Sequence, residues 1–204
     1  MPTLLMIQAS ARSQGSHSRE VAEHLITRWK TAHPNGTVIE RDLAKQPIPH
    51  ISEDTITGFF TPEDALTDTL KAANALSDQL IAEIDAADTV VISTPMYNFN
   101  VPSALKAWID QVSRVNKTFS YDPEQGFAGL IQGKKVYVIA ATGAVFSDPA
   151  LADMDFLHGY LNAMLGFLGM PIDEYWLVEG ASADPDTLIN SKQAAVNHIN
   201  QLWG

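Results

Sequence analysis

The stretch TVVISTPMYNFNVPSALKAWID, residues 89–110, joins a short apolar segment to an amphipathic one through a turn rich in aromatic and amide side chains. Its first part, Thr89–Thr94, is mostly β-branched, as is typical of a strand that is covered on both faces of a sheet. From Ser103 onward the apolar residues recur at helical spacing, and Pro102 suits the start of a helix. A buried strand followed by a helix is half of the unit from which parallel sheets are built.

Four further segments have the length and composition of strands, and helical periodicity follows each of the five. The other predicted strands are Thr3–Gln8, Thr37–Arg41, Lys135–Ala141 and Tyr175–Glu179. The predicted helices are Ser18–Thr31, Leu66–Ala86, Ser103–Val115, Met154–Leu168 and Pro185–Leu202. This alternation predicts a doubly wound α/β fold, with five parallel strands in the flavodoxin-like order 2-1-3-4-5 and helices on both faces. We expect a single domain over residues 1–204.

Two segments are longer than ordinary connections in such a fold. They are Leu43–Asp64, before the second predicted helix, and Asn116–Gly133, before the fourth predicted strand. Loops of this length are often functional lids or interface elements. Simple coverage of the sheet edge explains them equally well, and both interpretations remain open.

The composition excludes several classes of function. Asp and Glu number 24 against 13 Lys and Arg, so the net charge of −11 opposes binding to nucleic acid and to anionic membranes. The absence of cysteine excludes disulfides, thiol catalysis and cysteine-ligated metals, and the six histidines lack the spacing of metal ligands. No apolar run approaches the ~20 residues that span a bilayer, so we expect no metal, no membrane and a cytoplasmic location.

The first strand is followed by ASARSQGSHSRE, residues 9–20, which places four serines and a glycine before a helix. Helix N-termini present unpaired N–H groups and the positive end of a dipole, which suit a phosphate group. The candidate phosphate ligands are Ser10, Ser16, His17 and Ser18. A plain helix cap by Ser16 accounts for the same residues, and both interpretations remain open. The chain has no G-x-G-x-x-G and no G-x-x-x-x-G-K-[ST] motif, which argues against Rossmann-type dinucleotide binding and against a P-loop.

The third strand ends beside the first in the predicted order, so the turn after Thr94 faces the same crevice as the serines. Met96, Tyr97 and Phe99 are suited to pack against a flat aromatic group, and the N–H groups of Asn98 and Phe99 to reach its polar edge. A phosphate at one loop and a flat ring at the next describe flavin mononucleotide (FMN). Ordinary core packing of Met96 and Phe99 at a strand end is the alternative.

The joined pattern PMYNFNVPSALKAWID, then KTFSY and GKKVYVIAATG, resembles the FMN-dependent NADH-azoreductase family, which is related to the NAD(P)H:quinone reductases. The resemblance extends through most of the chain, including ALSDQLIAEIDAADTVVISTPMYNFN and FLGMPIDEYWLVEG. It implies an FMN-binding homodimer that reduces azo dyes or quinones with NADH or NADPH by two-electron ping-pong hydride transfer. It also implies that FMN, rather than a protein acid or base, carries the chemistry. The family's FMN contacts correspond to Ser10, Ser16, His17 and Ser18 for the phosphate and to Met96, Tyr97, Asn98 and Phe99 for the ring.

The loop after the fourth predicted strand departs from the family. Where the family usually has a serine, an arginine and two glycines, this chain has Ala141–Ala144, so Thr142 and Gly143 are left to contact FMN, with backbone donors. Phe146 replaces a usual histidine, which implies a more apolar pocket mouth and an altered acceptor preference. The substrate-pocket residues that the resemblance implies are Phe119, Tyr121 and Phe146. Burial under a long loop explains Phe119 and Tyr121 equally well, and both interpretations remain open.

Two other functions remain open. A flavodoxin-type one-electron carrier, with no small-molecule substrate, suits the acidic charge, although the serine loop lacks a T-x-T-G turn and the long excursions suggest a covered pocket or an interface. A regulatory module that keeps the fold without FMN is the other alternative, because the loop after the fourth strand departs from the family.

Overall fold

The computed structural model describes residues 1–203, which contain seven strands, six α-helices and two short 3₁₀-helices. The strands are β1 (Thr3–Gln8), β2 (Thr37–Asp42), β3 (Thr89–Pro95), β4 (Phe119–Asp122), β5 (Gly126–Gly129), β6 (Lys135–Ala141) and β7 (Glu174–Val178). The helices are α1 (His17–Ala32), α2 (Glu53–Phe60), α3 (Asp68–Ala86), α4 (Ser103–Val112), α5 (Phe156–Phe167) and α6 (Pro185–Leu202).

Five of the strands form one parallel sheet in the order β2-β1-β3-β6-β7. Thr89 pairs with Leu4 on one side and with Lys135 on the other, so β3 lies at the centre of the sheet. The remaining strands, β4 and β5, form a separate antiparallel hairpin. Because β6 and β7 are the fourth and fifth strands of the sheet in chain order, the predicted order 2-1-3-4-5 is confirmed.

Successive residues of β1 pack against different helical layers, as the alternation of side chains along a strand requires. Leu5 and Ile7 belong to a core cluster that includes residues of α3, α4 and α5. Leu4 and Met6 belong to a second cluster with residues of α1 and α6. The sheet is therefore covered by apolar clusters on both faces, as predicted. This leaves the ends of the strands as the places where polar side chains can form a site. Within residues 1–203, no helix has both the length and the apolarity needed to cross a bilayer.

Helix α4 ends at Val112, three residues earlier than its periodicity predicts. The buried hydroxyl of Thr118 donates to the carbonyl of Val112 at 2.6 Å and accepts the N–H of Arg114 at 2.9 Å. Asn116 then takes a positive φ of 60°, which turns the chain. These contacts come from residues beyond the helix, so the spacing of its apolar residues does not predict that α4 ends at Val112.

Other boundaries differ for local reasons. Helix α3 begins two residues later than predicted because the Thr67 side chain caps it by accepting the N–H of Leu70. Strand β7 lies one residue earlier than predicted, since the N–H of Glu179 donates to the hydroxyl of Ser191 instead of joining the sheet. Helix α2 and the β4–β5 hairpin were not predicted; α2 begins with a reciprocal capping box between Ser52 and Thr55.

Candidate functional site

A cavity of about 150 Å³ lies where the chain leaves β1, β3 and β6 at their carboxyl ends. Three segments border it: the serine loop (residues 9–16), the aromatic turn (residues 96–100) and the third loop (residues 141–146). The lining residues are Ser10, Arg12, Gly15, Ser16, His17, Pro95, Met96, Tyr97, Ala141, Thr142, Gly143 and Ala181. Because the three strands are neighbours in the sheet, segments far apart in sequence meet at one place.

The serine loop enters α1 without a side-chain cap, although a cap by Ser16 was one of the two interpretations of this sequence. Gly15 takes a left-handed φ of 62°, which glycine adopts without strain, and the chain turns there into the helix. Ser16 occupies the N-cap position, but its side chain makes no capping hydrogen bond; its Oγ lies 3.4 Å from the Oγ of Ser18. The first N–H groups of α1 are thus left without a side-chain acceptor, and they are available to a ligand.

His17 adds a second unsatisfied group at the same end of α1. It lines the cavity, and its Nδ1 is buried without a hydrogen-bond partner within residues 1–203. The nearest acidic group is Glu20, whose Oε2 lies 3.9 Å from that nitrogen, too far for a hydrogen bond. Arg12 also borders the cavity. This end of the cavity is therefore suited to a small anion.

The aromatic turn has the geometry of a tight two-residue hairpin. The N–H of Tyr97 donates to the Asn100 carbonyl at 2.9 Å, and the N–H of Asn100 donates to the Tyr97 carbonyl at 3.2 Å. Asn98 and Phe99 both have positive φ values, 51° and 69°, as a type I′ turn requires. Phenylalanine in this conformation costs on the order of 1–2 kcal/mol, and strain of this kind clusters at functional sites.

Two backbone N–H groups of the aromatic turn have no hydrogen-bond acceptor in the described structure. Within residues 1–203, the N–H groups of Asn98 and Phe99 donate to no backbone or side-chain acceptor. Met96 and Tyr97 line the cavity, whereas the Phe99 side chain is 44 % exposed and packs edge-on against Phe146 at a centroid distance of 6.3 Å. Ordinary core packing, the alternative for Met96 and Phe99, therefore does not describe Phe99.

The aromatic turn and the start of α4 border a second cleft, of about 440 Å³, and Tyr97 lines both spaces. Asn98 lines this cleft together with Lys106 and Tyr160. Burial, with a smaller contribution from Asp110, raises the pKa of Tyr160 to about 12, so its hydroxyl stays protonated at neutral pH. The two spaces together extend from the serine loop to the start of α4.

The third loop is held to the segment that follows β7. Ser182 donates its N–H to the Gly143 carbonyl at 2.8 Å, and Ala181 donates to Thr142 at 3.1 Å. A Cβ at Gly143 would lie 3.0 Å from the Ser182 hydroxyl, so this close approach favours glycine. The N–H groups of Gly143 and Ala144 have no acceptor within residues 1–203. The loop therefore keeps backbone donors although it lacks an arginine.

Several predicted site residues do not line the cavity. Ser18 is buried behind Ser16, and Phe146 is buried beneath Phe99. Phe119 and Tyr121 lie on the β4–β5 hairpin and are not among the residues that border the cavity. They belong to an aromatic cluster with Phe127 and Phe167. A role for the hairpin residues at a subunit interface stays a prediction, as does the substrate-pocket role of Phe146.

Sequence reasoning missed a buried ion pair beside the serine loop. The guanidinium of Arg19 binds both carboxylate oxygens of Asp42, at 2.7 and 2.9 Å, and donates to the Ser10 carbonyl at 2.7 Å. Burial acts to raise the pKa of Asp42, but hydrogen bonds from Arg19 and from the Ala44 N–H outweigh it and lower the pKa to about 2. An arginine in the first turn of a helix, together with an aspartate that ends a neighbouring strand, is the signal that could have indicated the pair.

Comparison with known proteins agrees with this geometry. A family model described as "Flavodoxin-like fold" matches residues 2–202. An FMN-dependent NADH:quinone oxidoreductase of Xanthobacter autotrophicus is 50 % identical over 171 residues, which cover 83 % of this chain and 82 % of that protein. The crystal structure of an azoreductase from Bacillus anthracis strain Sterne has a TM-score of 0.90 and 31 % identity, and covers 100 % of this chain and 99 % of that one. An FMN-dependent NADH-azoreductase from B. anthracis strain Ames Ancestor, solved in complex with FMN, has a TM-score of 0.86 and 27 % identity, with 100 % of both chains covered.

Proposed function

This chain belongs to the flavodoxin-like family of FMN-dependent NADH:quinone oxidoreductases, and from that premise we propose that it reduces quinones or azo compounds with electrons from NADH. The resemblance carried by the PMYNFN motif is thereby confirmed. The convergence of the serine loop, the aromatic turn and the third loop on one cavity carries the proposal. Within residues 1–203, no group of three or more His, Cys, Asp or Glu side chains is placed to hold a metal ion.

The serine loop fits the phosphate group of FMN. Ser16 leaves the first N–H groups of α1 without a side-chain acceptor, and Ser10 contributes a second hydroxyl to the cavity lining. The unpartnered Nδ1 of His17 lies at the same end. Hydroxyl groups, backbone N–H groups and a helix dipole are the donors that bind phosphate elsewhere in proteins.

The other two segments fit the ring of FMN. Met96 and Tyr97 provide apolar surface beside the cavity, and the free N–H groups of Asn98 and Phe99 suit the polar edge of the ring. Gly143 and Ala144 add two more unpaired N–H groups. The arginine that the family usually has is therefore replaced by backbone donors, which supports FMN binding despite the altered loop.

FMN supplies the redox chemistry when bound, accepting a hydride equivalent from NADH and passing two electrons to the acceptor. The protein's own contribution is binding and electrostatics. With FMN bound, the backbone N–H groups of the aromatic turn would stabilise negative charge at the ring edge, because the type I′ geometry already holds them in place. The Phe99 ring does not line the cavity, but it is 44 % exposed in the same turn and would offer a flat apolar surface to a conjugated acceptor.

A one-electron carrier is the alternative that the sequence left open. Curated relatives named as NADH:quinone oxidoreductases do not favour it. The cleft beside Tyr97 also suits a protein that admits small molecules.

We further propose that the protein acts as a homodimer in the cytoplasm. Large apolar side chains are exposed on both long excursions, with Phe60 at 72 % and Phe127 at 64 %, and exposed apolar surface of this kind is typical of subunit contacts. The donor NADH is an intracellular metabolite, which supports the location. Sedimentation equilibrium of the purified chain would detect the dimer; a single species of 22.2 kDa at all concentrations would contradict it.

Steady-state kinetics test the activity directly. Initial rates measured with NADH and a quinone, and again with an azo dye, should give parallel double-reciprocal lines, because we expect NADH to react and leave before the acceptor binds. The same assay with NADPH in place of NADH reports the donor preference. Intersecting lines would mean that donor and acceptor bind together, and a complete lack of turnover with either acceptor would refute the proposed activity.

A further inference from the structure

We infer that Arg19 is a positioning residue for the phosphate end of the cofactor: clamped by Asp42, its guanidinium holds the Ser10 carbonyl and thereby sets the serine loop for a phosphate monoester. The inference rests on the proposed function and deepens it. Arg19 itself does not line the cavity and acts through the loop.

The clamp joins three elements through buried groups. Arg19 lies in the first turn of α1, Asp42 ends β2, and Ser10 follows β1. Arg19 and Asp42 are only 8 % and 5 % exposed, and Ser10 is 1 % exposed. One guanidinium nitrogen, Nη2, donates both to Asp42 Oδ1 and to the Ser10 carbonyl, each at 2.7 Å. Any movement of the ion pair is therefore transmitted to Ser10.

The orientation of the Ser10 carbonyl decides where the next donor points. The described chain has only trans peptide bonds, in which the carbonyl and the following N–H point in opposite directions. With its carbonyl directed at Arg19, Ser10 turns the N–H of Ala11 away from the guanidinium, and within residues 1–203 that N–H has no acceptor. The Ser10 hydroxyl meanwhile accepts the N–H of Arg12 at 3.2 Å, which folds the loop back on itself.

Neither helix stability nor burial explains why an arginine occupies this position. A cation in the first turn of a helix opposes the helix dipole, which favours acidic residues there. A buried ion pair contributes little net stability, because the desolvation of both charges offsets their attraction. What the pair does supply is fixed geometry, since the planar guanidinium bridges a carboxylate and a carbonyl at defined angles.

The chain offers a matched control in Arg41, which precedes Asp42 in β2. Arg41 is 7 % exposed and forms a buried ion pair with Glu83 of α3, and its Nη1 donates to the Gln46 side chain at 2.7 Å. None of these partners borders the cavity. Replacing Arg41 therefore removes a buried guanidinium of the same sheet edge without touching the serine loop.

The test compares the affinities for FMN and for riboflavin, which has the same ring system and no phosphate. Dissociation constants are measured by flavin fluorescence quenching on wild type, Arg19→Gln, Asp42→Asn and the control Arg41→Gln. Arg19→Gln should weaken FMN binding about tenfold relative to riboflavin, the size of losing one hydrogen bond to a charged group. Asp42→Asn should lower the ratio of FMN affinity to riboflavin affinity by a smaller factor, and Arg41→Gln should leave this ratio unchanged.

Each outcome decides the inference. An unchanged ratio in Arg19→Gln, even with a lower melting temperature, would show that Arg19 is structural only and would overturn it. If Arg19→Gln does not fold, Asp42→Asn decides by the same ratio. A ratio that falls equally in Arg41→Gln would also overturn it. Wild-type protein that binds neither flavin would refute the proposed function as well, whereas wild-type FMN binding with unaltered variant ratios would refute this inference alone.

Discussion

The ion pair of Arg19 and Asp42 predicts a specific pH dependence of folding stability. The pKa of Asp42 falls from its ordinary 3.8 to about 2 in the folded chain, so the folded state binds the proton less tightly than the unfolded state does. A change of this size makes the folded state about 2 kcal/mol more stable with Asp42 ionised than with Asp42 protonated, at about 1.4 kcal/mol for each tenfold change in proton affinity; it does not measure the net contribution of the ion pair. Because the folded pKa is the lower one, this stabilisation is fully present above about pH 5 and is lost as the pH falls toward 2.

Urea unfolding of flavin-free protein at a series of pH values measures the effect. The free energy of unfolding of the wild type should exceed that of Asp42→Asn by a constant amount from pH 7 to pH 5. Between pH 4 and pH 2 the difference should shrink by about 2 kcal/mol, because wild-type Asp42 becomes protonated and resembles its amide replacement. The same comparison in an Arg19→Gln background is the control, and there most of the pH dependence should disappear.

A difference that stays constant down to pH 2 would refute the reasoning, since it would mean that the fold does not favour ionised Asp42. An undiminished pH dependence in the Arg19→Gln background would show that another group, and not Arg19, holds the carboxylate in its charged form.

Three further predictions concern the backbone. Phe99→Gly should be more stable than Phe99→Ala by about 1 kcal/mol in chemical denaturation, because both lose the ring and only glycine relieves the φ of 69°; equal stabilities would argue against this turn geometry. Asn98→Pro should abolish FMN binding, because proline fixes φ near −65° where the turn needs 51°, whereas Asn98→Gly should keep it; retained binding in Asn98→Pro would contradict the type I′ turn. Gly129→Ala should lower stability by about 1–3 kcal/mol in thermal unfolding, because its Cβ would overlap the backbone nitrogen of Gly169. Gly126→Ala is the control: no atom lies within 4 Å of its Cβ, so it should cost only the strain of a positive φ.

The sheet could be predicted from the sequence because it depends on strong local patterns. Segments such as Thr89–Thr94 are short and β-branched, and helical spacing follows each of them, so strand order and coverage on both faces come from general rules of chain connection. The β4–β5 hairpin was missed because its strands have four residues each and pair outside the main sheet. Helix α2 was missed because it has eight residues and its capping box uses Thr55 in place of the usual Glu or Gln.

The candidate site was predictable where it depends on strand order and not where it depends on tertiary contacts. That Ser10, Met96 and Thr142 border one cavity follows from the positions of β1, β3 and β6. The positive φ of Phe99 could not be predicted, since phenylalanine avoids this conformation and no local pattern indicates it. The hydrogen bond from Arg19 to the Ser10 carbonyl could not be predicted either, because it depends on where β2 places Asp42 relative to α1.

An absorbance spectrum of the purified protein, followed by anaerobic titration with NADH, tests most directly whether the three loops hold a flavin that accepts hydride. We expect the bands of bound FMN, restored by added FMN if they are lost in purification, and their bleaching in a single phase by one equivalent of NADH. Colourless protein that takes up no FMN would contradict the account, and so would bound flavin that NADH fails to bleach.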